Sequence, residues 1–173
     1  GGVPAKDFGY RPAIGAIVER LKQALGGQCL PRSLKTNDEG QVPCLIIEAR
    51  RTDTGQGECD SATGRQNVTT EHLAAQKAIE NDPIYEGLNS FCEIKQAVGE
   101  DLTACREELD EPVQNASGDK VNAWCYIDAT TVPSTGNAEL VSKCPDTQRR
   151  LIRFVGEGAG ATGATLFITC TGE

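Results

Sequence analysis

The sequence contains no methionine, a single histidine (His72) and a single tryptophan (Trp124), and its aromatic content is only 5%. One histidine is too few for a Cys/His metal cluster. No apolar run approaches the roughly 20 residues that a bilayer-spanning helix needs, and no basic-then-apolar leader stands at the start. The opening "GGVPAKDFGY", without Met, reads as a trimmed or mature piece. Positive charge is also scarce: Lys and Arg number 17 against 25 Asp and Glu, a net charge of −8. Such a chain repels phosphate backbones. Its only Arg doublets, Arg50-Arg51 and Arg149-Arg150, make no basic patch, so nucleic acid is not expected as a partner. The sequence has no C-x-x-C pair, no G-x-S-x-G elbow and no H-E-x-x-H helix. These absences remove the zinc-knuckle, thioredoxin-type, α/β-hydrolase and zincin readings.

Cysteine, by contrast, is plentiful: Cys29, Cys44, Cys59, Cys92, Cys105, Cys125, Cys144 and Cys170. An even number spread along the chain reads as four disulfides, and so as an oxidising compartment. Spacing alone leaves the connectivity open. Pairing within local units suggests Cys29–Cys44, Cys144–Cys170, Cys59–Cys92 and Cys105–Cys125.

The stretch "LIRFVGEGAGATGATLFITC" carries G-x-G-x-x-G at Gly158, Gly160 and Gly163. A dinucleotide fingerprint needs a helix after the glycines, because the helix N-terminus holds the pyrophosphate. Here "ATLFITC" follows, β-branched and aromatic, and no acidic residue can stand about twenty positions further on. The glycines are therefore expected to form the loop of a hairpin between the last two strands, and no cofactor is expected.

Strands are expected near 43–50, 121–129, 149–156 and 164–170. The residues "YRPAIGAIVERLKQAL" (10–25) show helical periodicity, with Pro12 in the first turn and Gly26-Gly27 after the last. A second helix is expected in "TTEHLAAQKAIEND", capped by Thr69 or Thr70. A third is expected to begin near Glu93 and to break at Gly99, with 101–108 its better half. The architecture is thus α+β: a mostly antiparallel sheet with two or three packed helices, stapled by four disulfides. The chain divides into an N-terminal amphipathic helix (1–28) and a disulfide-rich domain (29–173). The stretches 52–68 and 110–120 read as long polar loops. Trp124, next to Cys125, suggests an aromatic ring packed on a disulfide.

Three features invite functional readings. Asp53, Glu58 and Asp60 sit in a Gly-rich stretch and could offer oxygen ligands to calcium, although the EF-hand order is missing. The run Glu107 to Glu111 could supply paired carboxylates, but reads better as a charged face. His72 could activate a cysteine if one were left free. Asn67-Val68-Thr69 and Asn115-Ala116-Ser117 match the N-glycan acceptor pattern, which matters on a eukaryotic export route.

The succession "YRPAIGAIVERLKQALGGQCLPRSL", "VPCLIIEAR", "FCEIKQAVGEDLTAC", "AWCYIDA", "KCPDTQRRLIRFVG" and "ATLFITCTG" resembles the cysteine-rich region downstream of the von Willebrand factor A domain in large secreted bacterial proteins, often lipoproteins. The resemblance implies an adhesion-type, surface or periplasmic setting. It brings no catalytic residue, and the metal-adhesion signature D-x-S-x-S has no counterpart here. Helix 10–25 would be the tail of the upstream domain. Together these readings point to a non-enzymatic, extracytoplasmic binding or structural module whose partner is a protein or a cell-surface component. A hydrolase with no visible motif and a calcium-binding structural domain are the alternatives.

Overall fold

The computed structural model describes residues 28–131 and 134–170. The expected helix at 10–25 lies outside them. Among the described residues, seven strands and two α-helices follow in chain order: β1 (Gln28–Cys29), β2 (Cys44–Arg50), β3 (Arg65–Asn67), α1 (Leu73–Glu80), β4 (Ser90–Ile94), α2 (Gly99–Glu107), β5 (Ala123–Asp128), β6 (Arg150–Val155) and β7 (Thr165–Cys170). All strand pairs are antiparallel. The strands form two sheets, β1-β6-β5 and β3-β4-β2-β7. The α+β, antiparallel, disulfide-stapled reading therefore holds, with the strands divided between two sheets.

Three apolar clusters set the layer order. Ala75 and Ile79 of α1 pack on Ile47, Ala49, Phe91 and Phe167, one face of the four-stranded sheet. The opposite face presents Ile46, Ile94 and Ile168 to Trp124, Tyr126 and Ile152 of the three-stranded sheet. The outer face of that second sheet, with Cys125, Ile127, Leu151 and Val155, packs on Leu102 and Cys105 of α2 and on Val113, Val121 and Val141. The molecule is a four-layer stack: helix, sheet, sheet, helix. Both faces of each sheet are covered, so the strands cannot alternate apolar with polar. This is why "CLIIEAR" and "AWCYID" read as continuous runs, and why all six residues of β5 are buried.

The four sequence-expected strands fall within a residue or two of β2, β5, β6 and β7. Other expectations are corrected. Residues 90–94 form strand β4 and not the start of a helix, and the helix begins only at Gly99. The segment "SFCEI" is buried on both sides, and its one charge, Glu93, is absorbed by hydrogen bonds. The stretch 52–68 contains β3 and is bolted to β4 by Cys59–Cys92. Thr69 stands at the N-cap ahead of α1 but makes no side-chain cap; its hydroxyl bonds Glu93 and His72 instead. Trp124 does not pack on its neighbour's disulfide. Successive strand residues face opposite ways, so Trp124 lies between the sheets, where its Nε1 donates to the Ile94 carbonyl (2.8 Å), and Cys125 faces α2.

The last two strands are not a hairpin. β6 pairs with β5 and β1, β7 pairs with β2, and the Gly-rich segment crosses from one sheet to the other. The crossing is tight. A Cβ on Gly158 would lie 2.4 Å from the Ala123 carbonyl oxygen and 2.6 Å from its nitrogen, so only glycine fits against β5.

The disulfides follow the sheets and not the sequence. Cys59–Cys92 and Cys105–Cys125 pair as expected. The expected Cys29–Cys44 and Cys144–Cys170 do not form; Cys29 bonds Cys144 and Cys44 bonds Cys170. Cys44 and Cys170 stand directly opposite in the β2–β7 ladder, whereas Cys29 belongs to the other sheet. Two-sheet topology thus separates the cysteines that sequence proximity would join.

Candidate binding cleft

The inner face of the four-stranded sheet is apolar at Ile46, Ile94 and Ile168 but turns ionic at Glu48, Arg50 and Arg65. There the second sheet no longer covers it, and the Gly-rich crossing segment does. A polar cleft of about 470 Å³ lies at this junction, lined by Glu48, Arg50 and Arg65 from the sheet, Glu58, Asp60 and Thr63 from the preceding segment, and Glu157, Ala161 and Thr162 from the crossing. Its floor is a buried ion pair. Arg65 Nε donates to Glu48 Oε1 (3.1 Å) and Nη2 to Oε2 (2.6 Å), with side-chain exposures of 8% and 3%. The pair also fastens the crossing: Ala161 N–H donates to Glu48 Oε2 (2.7 Å), and Arg65 Nη1 donates to the carbonyls of Thr63 and Glu157. Asn122 completes the frame, donating to the Ala62 carbonyl and accepting from Glu157 N–H. Burial alone would raise the Glu48 carboxyl, but the Arg65 and Ala161 hydrogen bonds and the Arg65 charge outweigh it and hold the carboxyl below its ordinary value.

Two further ionic clusters brace the stack. Asp128, fully buried, accepts from the Tyr126 hydroxyl (2.7 Å), from Thr130 N–H (2.8 Å) and from Thr130 Oγ1 (2.5 Å), and lies 3.5 Å from Arg150 Nε. Burial, then the hydrogen bond to Asp128 and its charge, push Tyr126 up to about 12. Burial would raise Asp128, but its donors leave it lowered. On the α1 side, Glu93 accepts from Thr69 N–H (2.9 Å) and Gln66 Nε2 (3.0 Å), and its Oε2 lies 2.7 Å from His72 Nδ1. These bonds again overcome the upward pull of burial and lower Glu93.

The sign of the pH dependence follows. A carboxyl whose folded pKa is depressed stabilises the fold above its unfolded value, about 4, and that stabilisation is lost as pH falls through the folded pKa. Glu48, Glu93 and Asp128 all act in this direction. The unfolding free energy in urea is expected to hold down to about pH 5 and to drop below it, with a shallower drop in Glu93→Gln. A value unchanged down to pH 2 would contradict the assignment.

The sequence-expected residues divide as follows. All eight cysteines are in disulfides, so no thiol remains for His72 to activate. Glu58 and Asp60 line the cleft while Asp53 does not, and Asp60 Oδ1 is engaged by Ala62 N–H (2.9 Å). Among the described residues no group of three or more His, Cys, Asp or Glu is arranged to hold a metal ion. Glu107 to Glu111 are exposed. Sequence reading misses Glu48, Arg65, Asp128 and Arg150. The available signal is a charge inside, or closing, an otherwise apolar strand, in "CLIIEAR" and "AWCYID". Among the described residues no helix is long and apolar enough to cross a membrane.

A second cavity, about 570 Å³, is lined mainly by the extended segment 32–37 with Val42, Pro43 and Gln96. The Gln96 carboxamide is engaged by the Val42 backbone at both ends, donating to its carbonyl (3.0 Å) and accepting from its N–H (2.8 Å). This cavity holds fewer charged groups than the cleft, and none of them is buried. No family model, curated protein or solved structure matches the chain.

Proposed function

We propose that this chain is a non-enzymatic, extracytoplasmic binding or structural module, part of a larger secreted or surface protein, and that its polar cleft is the face offered to a protein or cell-surface partner. The observation that carries the reading is that all eight cysteines are consumed in four disulfides, two of which join segments more than a hundred residues apart. Such a chain is built for an oxidising compartment.

The electrostatics support the non-enzymatic part. Acid–base catalysis wants groups poised near neutral pH. Here the shifts run the other way: Glu48, Glu93 and Asp128 are lowered and Tyr126 is raised to about 12. Each of these groups is engaged by hydrogen bonds that hold elements together.

The test is the redox dependence of the fold. In a buffer poised with excess reduced glutathione, the near-ultraviolet circular dichroism of native protein is expected to decay as the bridges open, and to persist in oxidised buffer. A native spectrum retained with all eight thiols free to alkylate would contradict an extracytoplasmic design.

A further inference from the structure

The fold treats the two Asn-x-Ser/Thr tripeptides differently. Asn67 ends β3, the edge strand of the four-stranded sheet, and is exposed. It shares its face with Arg65, two residues back, and therefore stands at the flank of the cleft. A chain attached to its carboxamide would run into solvent without moving any element. Asn115 is committed. Its Nδ2 donates to Asp101 Oδ1 of α2 (2.8 Å), and its Oδ1 accepts from Ser117 N–H (3.0 Å) and Asp119 N–H (2.9 Å). In both tripeptides the third residue is engaged, Ser117 by Glu100 Oε1 through its hydroxyl (2.9 Å) and its N–H (3.0 Å) and Thr69 by Glu93 and His72, so the difference lies in the asparagine side chains. A substituent on Asn115 Nδ2 would wedge this turn away from α2.

We propose that Asn67 is an N-glycan acceptor and that Asn115 is left bare in the folded, exported chain. The bond forms between Asn67 Nδ2 and the anomeric carbon of a lipid-pyrophosphate-linked oligosaccharide donor; the bond from that carbon to the pyrophosphate oxygen breaks, the lipid pyrophosphate leaves, and one Nδ2 proton is lost. The proposal rests on the extracytoplasmic reading. It also gives the modification a physical role. A hydrated, bulky sugar on an edge strand hinders a second chain from pairing along it, and beside the cleft it limits the approach of a partner to one side.

The experiment is secretion of the full chain behind a cleavable signal peptide in a eukaryotic host. Glycopeptide mapping of the wild-type product follows, with Asn67→Gln and Asn115→Gln as companions. The expected result is one glycan, mapped to Asn67, absent from Asn67→Gln and present in Asn115→Gln. Because the wild-type product is mapped directly, a folding defect in Asn115→Gln does not obscure the answer. A bare Asn67, or a secreted product glycosylated at Asn115, overturns the proposal. Counting free thiols in the same sample keeps the two readings apart: four disulfides with a bare Asn67 defeat only the glycan, whereas a glycan with free thiols defeats only the disulfide-based export reading.

Discussion

Replacing Cys44 and Cys170 together by alanine is expected to lower the unfolding free energy by about 5 kcal/mol at 25 °C, the largest single effect in the molecule. The bridge spans a sequence separation of 126, and releasing so long a loop returns the most entropy to the unfolded chain. It also unpins the end of the β2–β7 ladder, where the two residues face each other. The same change at Cys105 and Cys125, separated by 20, is expected to cost about 3 kcal/mol. Domains of ordinary size hold only about 5–15 kcal/mol, so the first variant should sit close to its midpoint at modest urea while the second stays folded. Urea titration of both variants checks the order, and a Cys105/Cys125 variant less stable than the Cys44/Cys170 variant would contradict the loop-length argument.

Removing Glu48 is expected to have an effect of similar size. Glu48→Ala strands the Arg65 guanidinium in a site where its side chain is 8% exposed, and frees Ala161 N–H at the sheet crossing. Breaking one side of a buried pair typically costs about 3–5 kcal/mol, because the remaining charge stays desolvated. Replacing both partners by apolar residues of similar volume, Glu48→Leu with Arg65→Met, is expected to recover most of the loss. Urea midpoints for the wild type and the two variants decide the matter. A Glu48→Ala chain as stable as the wild type would mean that the pair is a bystander and that the crossing is held by something else.

Much of this fold is legible in the sequence, for reasons specific to certain residues. Leu45-Ile46-Ile47 and "AWCYID" mark strands because both faces of each sheet are covered, and the β-branched residues after Gly163 mark the strand that follows the glycines, β7. Other features depend on topology. Nothing local shows that β6 and β7 belong to different sheets, so the expected hairpin and the expected pairing of Cys144 with Cys170 fail for one and the same reason. "SFCEI" resembles a helix start because Glu93 looks like surface charge, when it is in fact held by Thr69, Gln66 and His72. The cleft is hidden from the sequence in the same way. Glu48 and Arg65 are 17 residues apart, and only the β2–β4–β3 register brings them together.

The two-sheet, four-bridge stack is the central claim, and non-reducing peptide mapping tests it most directly. Digestion of the unreduced, alkylated chain should yield four linked pairs, Cys29–Cys144, Cys44–Cys170, Cys59–Cys92 and Cys105–Cys125, with no alkylated cysteine. Recovery of Cys29–Cys44 or Cys144–Cys170, the pairs that sequence proximity favours, would contradict the separation of β1 and β2 into different sheets, and with it the layered stack that places the cleft.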